Sequence, residues 1–450
     1  MAVKLIFKII AIAAIFCSTT ISAQINPATN KIAVDVSTYH VQNTAYNYDS
    51  SFAIGKNLGM NEVGLFINWT MLETAPNTFD FTILDIANIY YPTHSMPLDI
   101  NLNPINTNRL EVPSDLDSMT FDNPIFINRY KTLLDSVKVH IPLVTISSFI
   151  IGSEIGAYLG TDTVKWAQYT VFYNSVSTYA KTLWTGLNVA VELQFADLIN
   201  YNSFAQQINT NSDYIGVSYY PTWGNFTVKP PYIVGNDMDT LVNLYPTKPI
   251  CFYQFGYPSS PTCNSSDSLQ AEFVNQTFLY WDYYATHIRL IDFTWITDLD
   301  TAAVNYYGTY YGLTDTIFLE FLRTIGLREW NGNGIDKPAL NELRCQTKQR
   351  GYNTLPIICN TVGLNDIPIS ENNFTISPNP ANTILNIELS GDCKNAKIIV
   401  FNQLGQIEKS ILNINSRTIH IETSDLKSGL YFIVLQNSDR FISRKFIICK

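Results

Sequence analysis

Eight short apolar runs in this sequence end in side chains suited to a polar, uncharged ligand. In order they are Asp35, Asn68 with Trp69, Asn103, Ser153 with Glu154, Gln194, Tyr219 with Tyr220, Gln254, and Trp295. Aromatic faces stack on sugar rings, while amides and carboxylates bind hydroxyls, so the set points to a carbohydrate groove. A phosphorylated substrate would call for Arg or Lys at these places, and none stands there. His40, His94, His140, His287 and His420 form no spaced pair, so neither a metal site nor a Ser-His-Asp triad is expected. No cofactor is expected either.

These residues need elements to hold them. The candidate strands are Ile32–Val36, Glu62–Ile67, Leu98–Leu102, Phe149–Gly152, Val189–Leu193, Tyr214–Tyr219, Ile250–Phe255 and Ile288–Trp295. Several are almost wholly apolar, as parallel strands buried on both faces must be. Helical patterns lie between them. Asn123-Pro124 reads as a cap with Pro at the first helical position, and Ile127, Tyr130, Leu133, Leu134 and Val137 mark one face. Val164 to Leu183 and Ser266 to Ala285 repeat that period. Eight strands alternating with helices predict an α/β fold, a (β/α)8 TIM barrel over residues 25–345, with reactive side chains at the carboxyl ends of its strands. A doubly wound sheet competes, but no G-x-G-x-x-G turn follows the first strand.

From Phe374 the period changes to two. Ile384–Leu389, Lys397–Phe401, Thr418–Glu422, Tyr431–Gln436 and Phe441–Ile448 read as strands of a small all-β sandwich at 372–450. Residues 346–371 lack periodicity and read as a linker.

Length and composition bound the rest. The chain has 450 residues, 46% hydrophobic, 13% aromatic and only 15% charged, with a net charge of −10. That is ample core material and a surface led by uncharged polar groups. No run of Lys and Arg offers a phosphate-binding patch, so nucleic acid is excluded as a partner. Lys4 and Lys8, the apolar stretch Ile9 to Phe16 and Ile21-Ser22-Ala23 read as a signal peptide over residues 1–23. No stretch reaches the roughly 18 apolar residues of a transmembrane segment. The six cysteines beyond it allow about 15 pairings. In an exported chain, proximity suggests Cys251–Cys263, Cys345–Cys359 and Cys393–Cys449, with buried free thiols as the alternative.

Two resemblances add to this reading. Ile376-Ser377-Pro378-Asn379-Pro380-Ala381-Asn382, Val400-Phe401-Asn402-Gln403-Leu404-Gly405-Gln406, Asp425 to Phe432 and a terminal Lys resemble the type A C-terminal sorting domain of the type IX secretion system of Bacteroidota. The resemblance implies type IX secretion machinery as a partner and a secreted or cell-surface location. The span from Asn68 to Trp330 resembles the retaining (β/α)8 glycoside hydrolases, most of all the arabinogalactan endo-β-1,4-galactanase family and its relatives. The resembling segments are Leu65 to Trp69 with Leu72 to Asn77, Ile151-Gly152-Ser153-Glu154-Ile155, Asp213 to Pro221, and Pro249 to Ser260.

That resemblance implies a polysaccharide or oligosaccharide ligand and assigns Glu154 as general acid/base. It places Gln254 at the nucleophile position and Ser153 where the family's Asn binds the sugar 2-hydroxyl. It also gives Trp295 the sugar platform, with Asn68, Trp69, Tyr219 and Tyr220 as further substrate contacts. Trp69 equally suits packing between its strand and the next helix. Retaining hydrolysis needs two carboxylates about 5–5.5 Å apart, and an amide cannot form the glycosyl ester. Glu192, Asp292, Asp298 and Asp300 are the acids that could substitute; Glu192 is best placed, but reads first as a buried structural carboxylate bonded to polar groups of the barrel. Two functions stay open: a glycoside-hydrolase-like enzyme, and a non-catalytic glycan-binding or surface protein.

Overall fold

The computed structural model describes residues 30–36, 41–355, 359, 374–389, 396–402, 407–414, 416–437 and 440–450. The expected signal peptide and Cys393 lie outside the described residues. The chain divides into two compact units, Met1–Cys359 and Asn360–Lys450.

The first unit is built on two parallel sheets. One holds β1 (Lys31–Val34), β6 (Glu192–Gln194), β7 (Ile215–Tyr219), β8 (Ile250–Phe255) and β9 (Ile288–Phe293), in the order β1-β9-β8-β7-β6. The other holds β2 (Val63–Asn68), β3 (Leu98–Asn106), β4 (Ile146–Ser153) and β5 (Asn188–Ala190), in that order. Only Val191 separates β5 from β6, so one run of chain serves both sheets. Val189, Leu193, Ile250 and Leu290 are wholly buried, as a sheet covered by helices requires.

The covering helices start where local chemistry tells them to. Asn123 accepts from the Ile125 amide at 2.9 Å to open α1 (Pro124–His140). Asp162 accepts from Val164 and Lys165 to open α2 (Thr163–Leu183), and Ser266 caps α3 (Asp267–Tyr283). Asp300 and Asp315 cap α4 (Thr301–Tyr311) and α5 (Thr316–Thr324). These duties account for Asp300, which is therefore no substitute nucleophile. A last helix, α6 (Pro338–Gln349), runs past 345 with Thr347 buried, so the expected linker start at 346 falls inside it.

The five described cysteines are free thiols. Cys251 sits on β8, whereas Cys263 belongs to a different apolar cluster and donates to the Ile317 carbonyl. The expected 251–263 bridge does not form because the two side chains leave their segment for different cores.

The second unit consists of two antiparallel sheets. Phe374–Ser377, Ile384–Leu389 and Thr418–Glu422 make one; Ile407–Ile414, Ala396–Asn402, Gly429–Asn437 and Arg440–Ile448 make the other. Leu385, Ile387, Ile398, Ile433 and Phe446 fill one shared core, the period-two pattern realised.

Candidate functional site

β4 ends in a backbone turn that aims one carboxylate into the mouth of the first unit. Gly152 has φ 88° and Glu154 φ 48°. The left-handed region is costly for a side-chain-bearing residue and persists where surroundings enforce it. At Gly152 a β-carbon would stand 2.3 Å from the Tyr169 hydroxyl, so only glycine passes. Glu154 is 8% exposed and lines a cavity of about 510 Å³. Thr107 Oγ1 donates to its Oε2 at 2.7 Å, and Ser218 Oγ donates to its Oε1.

Gln254 reaches the same mouth through an irregularity in β8. Phe252 pairs with Val217 and Gln254 with Ser218, leaving Tyr253 as an extra residue. Such a bulge lets both Tyr253 and Gln254 face inward. The Tyr220 hydroxyl bridges Gln254 Oε1 and Thr294 Oγ1, each at 3.0 Å. On its other side Gln254 Nε2 donates to Ser153 Oγ at 3.1 Å, and Ser153 donates to Glu192 Oε2 at 2.7 Å. Ser153 has one hydroxyl proton and gives it to Glu192, so its oxygen is free to accept from the amide. The relay fits a Gln at 254.

Glu192 lies beneath this relay and is wholly buried. Burial first, then the Glu154 charge, pushes its carboxyl up to about 8; donors from Ser153, Gln254 and Asn101 offset part of that. It lines neither cavity and is mostly protonated at neutral pH, so it does not replace the nucleophile. Asp298 is paired with Lys337 at 2.7 Å. Asp197, pushed up to about 7 by burial and by Glu154, packs against Gly156, where a β-carbon would meet its Oδ2 at 2.3 Å.

The sequence-predicted residues therefore separate. Glu154, Gln254, Tyr220 and Trp295 come together around the larger cavity. Asn68 lines a second cavity of about 270 Å³, which Gln254 and Trp295 also border. Ser153 is buried under Gln254, so it positions the amide instead of facing a ligand. Trp69 is wholly buried: its Nε1 donates to Glu73 at 3.0 Å, and its ring meets Phe126 and Tyr130 edge-on. Tyr219 is stacked on Phe255 at 5.3 Å, with its hydroxyl given to Asp237. Trp69 lines neither cavity; Tyr219 borders the larger one beside Asp237 but keeps its ring in the aromatic stack. Alternation along a strand gives the reason: Ser218 and Tyr220 point inward, and Tyr219 between them points out.

Sequence reasoning passed over several lining groups. Thr107 and Ser218 hold Glu154, and α4 lays Tyr307 and Tyr311 along the wall between the cavities, Tyr307 stacking on Trp295 at 5.9 Å. Tyr310 donates to Glu111 at 2.5 Å, and Asn108 donates to the Tyr311 carbonyl at 2.8 Å, tying that helix across the mouth. Ser218 was legible as the inward neighbour of Tyr219. The tyrosines of α4 carried no signal beyond their spacing.

Comparison with solved structures gives the fold a context. Exo-β-1,4-mannosidase Op5Man5 from Opitutaceae bacterium strain TAV5 superimposes with a TM-score of 0.55 at 13% identity, over 72% of this chain and 60% of that one. A Streptomyces cattleya GH5_18 variant in complex with Manβ1-4GlcNAc gives 0.55 at 13%, over 72% and 82%. Bacteroides uniformis β-glucuronidase 2 gives 0.49 at 12%, over 93% of this chain, which spans about half of that longer one (46%). For the first two, at 13% identity, the likeness is one of fold alone, a TIM-barrel-like fold. No curated protein matches the sequence. Residues 375–449 match the family described as a secretion system C-terminal sorting domain, and the tail is such a domain.

Proposed function

We propose that the first unit is a closed (β/α)8 barrel that binds a β-linked saccharide at its mouth without retaining hydrolysis. The shared run of β5 and β6 supports closure. The barrel is residues 25–345 extended by α6, and the tail at 372–450 sends the chain by the type IX route to the cell surface or beyond. Relatives by fold act on or hold β-linked sugars, as their names state.

The observation that carries the reading is the Gln254 relay. Glu154 is held by two hydroxyl donors where a general acid would stand. Its partner position holds an amide engaged on both ends. An amide oxygen lacks the charge to attack an anomeric carbon, and no other acid lines the cavity within reach of that role except Asp237, which is taken by Tyr219. What remains is a cavity with aromatic walls and a few fixed polar groups, the makings of a saccharide site. A glycan-array screen of the mature chain, paired with reducing-sugar assays on galactans and other β-linked polymers, tests this. Binding without release of reducing ends is expected. Release of reducing ends by the unaltered chain would overturn it, as would the absence of any saccharide binding.

A further inference from the structure

The smaller cavity is built differently from the larger. It descends from the mouth between β2, β3 and β9 and is reached from inside: Phe66, on an inward position of β2, is 36% exposed. Asp292 and Asn101 line it, at 5% and 6% exposure, and Asp292 Oδ1 and Asn101 Oδ1 have no hydrogen-bond partner. Asn68 Oδ1 is a third lining acceptor left without a partner. Asp35 and Asp99 complete the charged lining, and no Lys, Arg or His lines it among the described residues. Gly64 makes room for Asp292, since a β-carbon there would stand 2.8 Å from its Oδ2.

A buried oxygen without a donor costs about 1–3 kcal/mol. Several gathered on one space mark a place where a ligand brings the donors. The missing groups are all donors, and the wall carries acids and no basic side chain. A metal ion does not fit, because no three acids among the described residues converge closely enough to hold one. Instead the acceptors are spread around a space edged by Phe66, Trp295 and Tyr306, flat faces suited to a pyranose ring. We propose that this cavity takes one amino-sugar unit, its ammonium group set against the Asp292 carboxylate and its hydroxyls against Asn68 and Asn101.

Burial first, then the neighbouring acids Asp35, Glu192 and Glu62, holds the Asp292 carboxyl well above the usual range. Arg289, on the same strand, is paired with Glu62 through bonds of 2.9 and 3.0 Å. An ammonium beside Asp292 offsets that burial, whereas a uronate would add to it. This inference rests on the saccharide-binding reading above and names the class of sugar.

Titration calorimetry on the mature chain tests it with four methyl β-glycosides: glucosaminide, N-acetylglucosaminide, glucoside and glucuronide. A charge-assisted hydrogen bond predicts glucosaminide binding about 10- to 100-fold tighter than glucoside, with glucuronide weakest. Asp292→Asn, nearly isosteric, should bring the glucosaminide-to-glucoside ratio to within about twofold. Asp35→Asn should lower the same ratio, which keeps the test open if one variant folds poorly. Equal affinity for glucosaminide and glucoside would overturn the inference, as would a ratio untouched by Asp292→Asn. In that event cellotriose or galactotriose binding would leave the saccharide reading standing. If no saccharide of any kind binds, that reading falls as well.

Discussion

At the mouth, Glu154 and Gln254 use both atoms of their head groups in bonds to protein. A short way off, Asp292 and Asn101 each keep an oxygen that nothing in the protein meets. The first region is preorganised and needs no ligand to be stable. In the second, stability has been given up at atoms that face a cavity. Satisfied polar groups identify what the fold fixes; unsatisfied ones identify what it leaves for a ligand to complete.

Several substitutions break or sharpen this contrast. The largest effect belongs to a side chain outside both regions. Trp69→Ala empties a wholly buried indole site and should cost about 3–5 kcal/mol in denaturant unfolding, with saccharide affinity of the folded protein unchanged. Lost affinity at full stability would return Trp69 to the binding surface.

Next comes pH. Glu192 titrates at about 8 in the folded chain against an ordinary 4.5. A carboxyl raised on folding favours the native state below its unfolded value, and that contribution disappears as pH climbs towards the folded one. Stability should therefore decline between about pH 4.5 and 8, by a few kcal/mol from this group. Glu192→Gln should flatten the slope in thermal melts taken across that window; an unchanged slope would remove Glu192 from the account.

A smaller effect sets the two regions directly against each other. Ser153→Ala leaves Gln254 Nε2 without its acceptor and takes from Glu192 the shorter of its two donors, and should destabilise by about 1–3 kcal/mol. Asp292→Asn removes a buried acid that has no base beside it, and should be neutral or stabilising at pH 8. Equal losses from both variants would erase the distinction. Least of all, Tyr219→Phe gives up one bond to Asp237, worth about 0.5–1.5 kcal/mol, and should leave affinity alone.

Much of this architecture was legible in the sequence. Ile250–Phe255, Ile384–Leu389 and Thr418–Glu422 form over the expected residues, because apolar runs bounded by turns leave few alternatives. Glu154, Gln254, Tyr220 and Trp295 meet because strand ends converge. Two aromatic contacts were misplaced for a reason the sequence held in part. Tyr219 and Tyr220 are adjacent, and period two sends one of any adjacent pair outward. Trp69 opens a short helix whose ring turns to Phe126 and Tyr130, a tertiary choice with no local signature. The Asp292 cavity depended on which inward residues lack partners, which only three-dimensional packing shows. In the tail, Phe374–Ser377 escaped notice because it alternates over only four residues, and Ile407–Ile414 because Glu408-Lys409-Ser410 breaks its alternation.

The central claim is that an amide at 254 stands between the first unit and glycoside hydrolysis. The most direct measurement is turnover of an activated aryl β-glycoside of whichever sugar binds, by the unaltered chain and by Gln254→Glu, with mass spectrometry for a covalent glycosyl–enzyme. The account predicts no turnover and no adduct for the unaltered chain. For Gln254→Glu it predicts slow hydrolysis through an adduct on residue 254, lost again when Glu154→Gln is added. An adduct or steady turnover in the unaltered chain would contradict it.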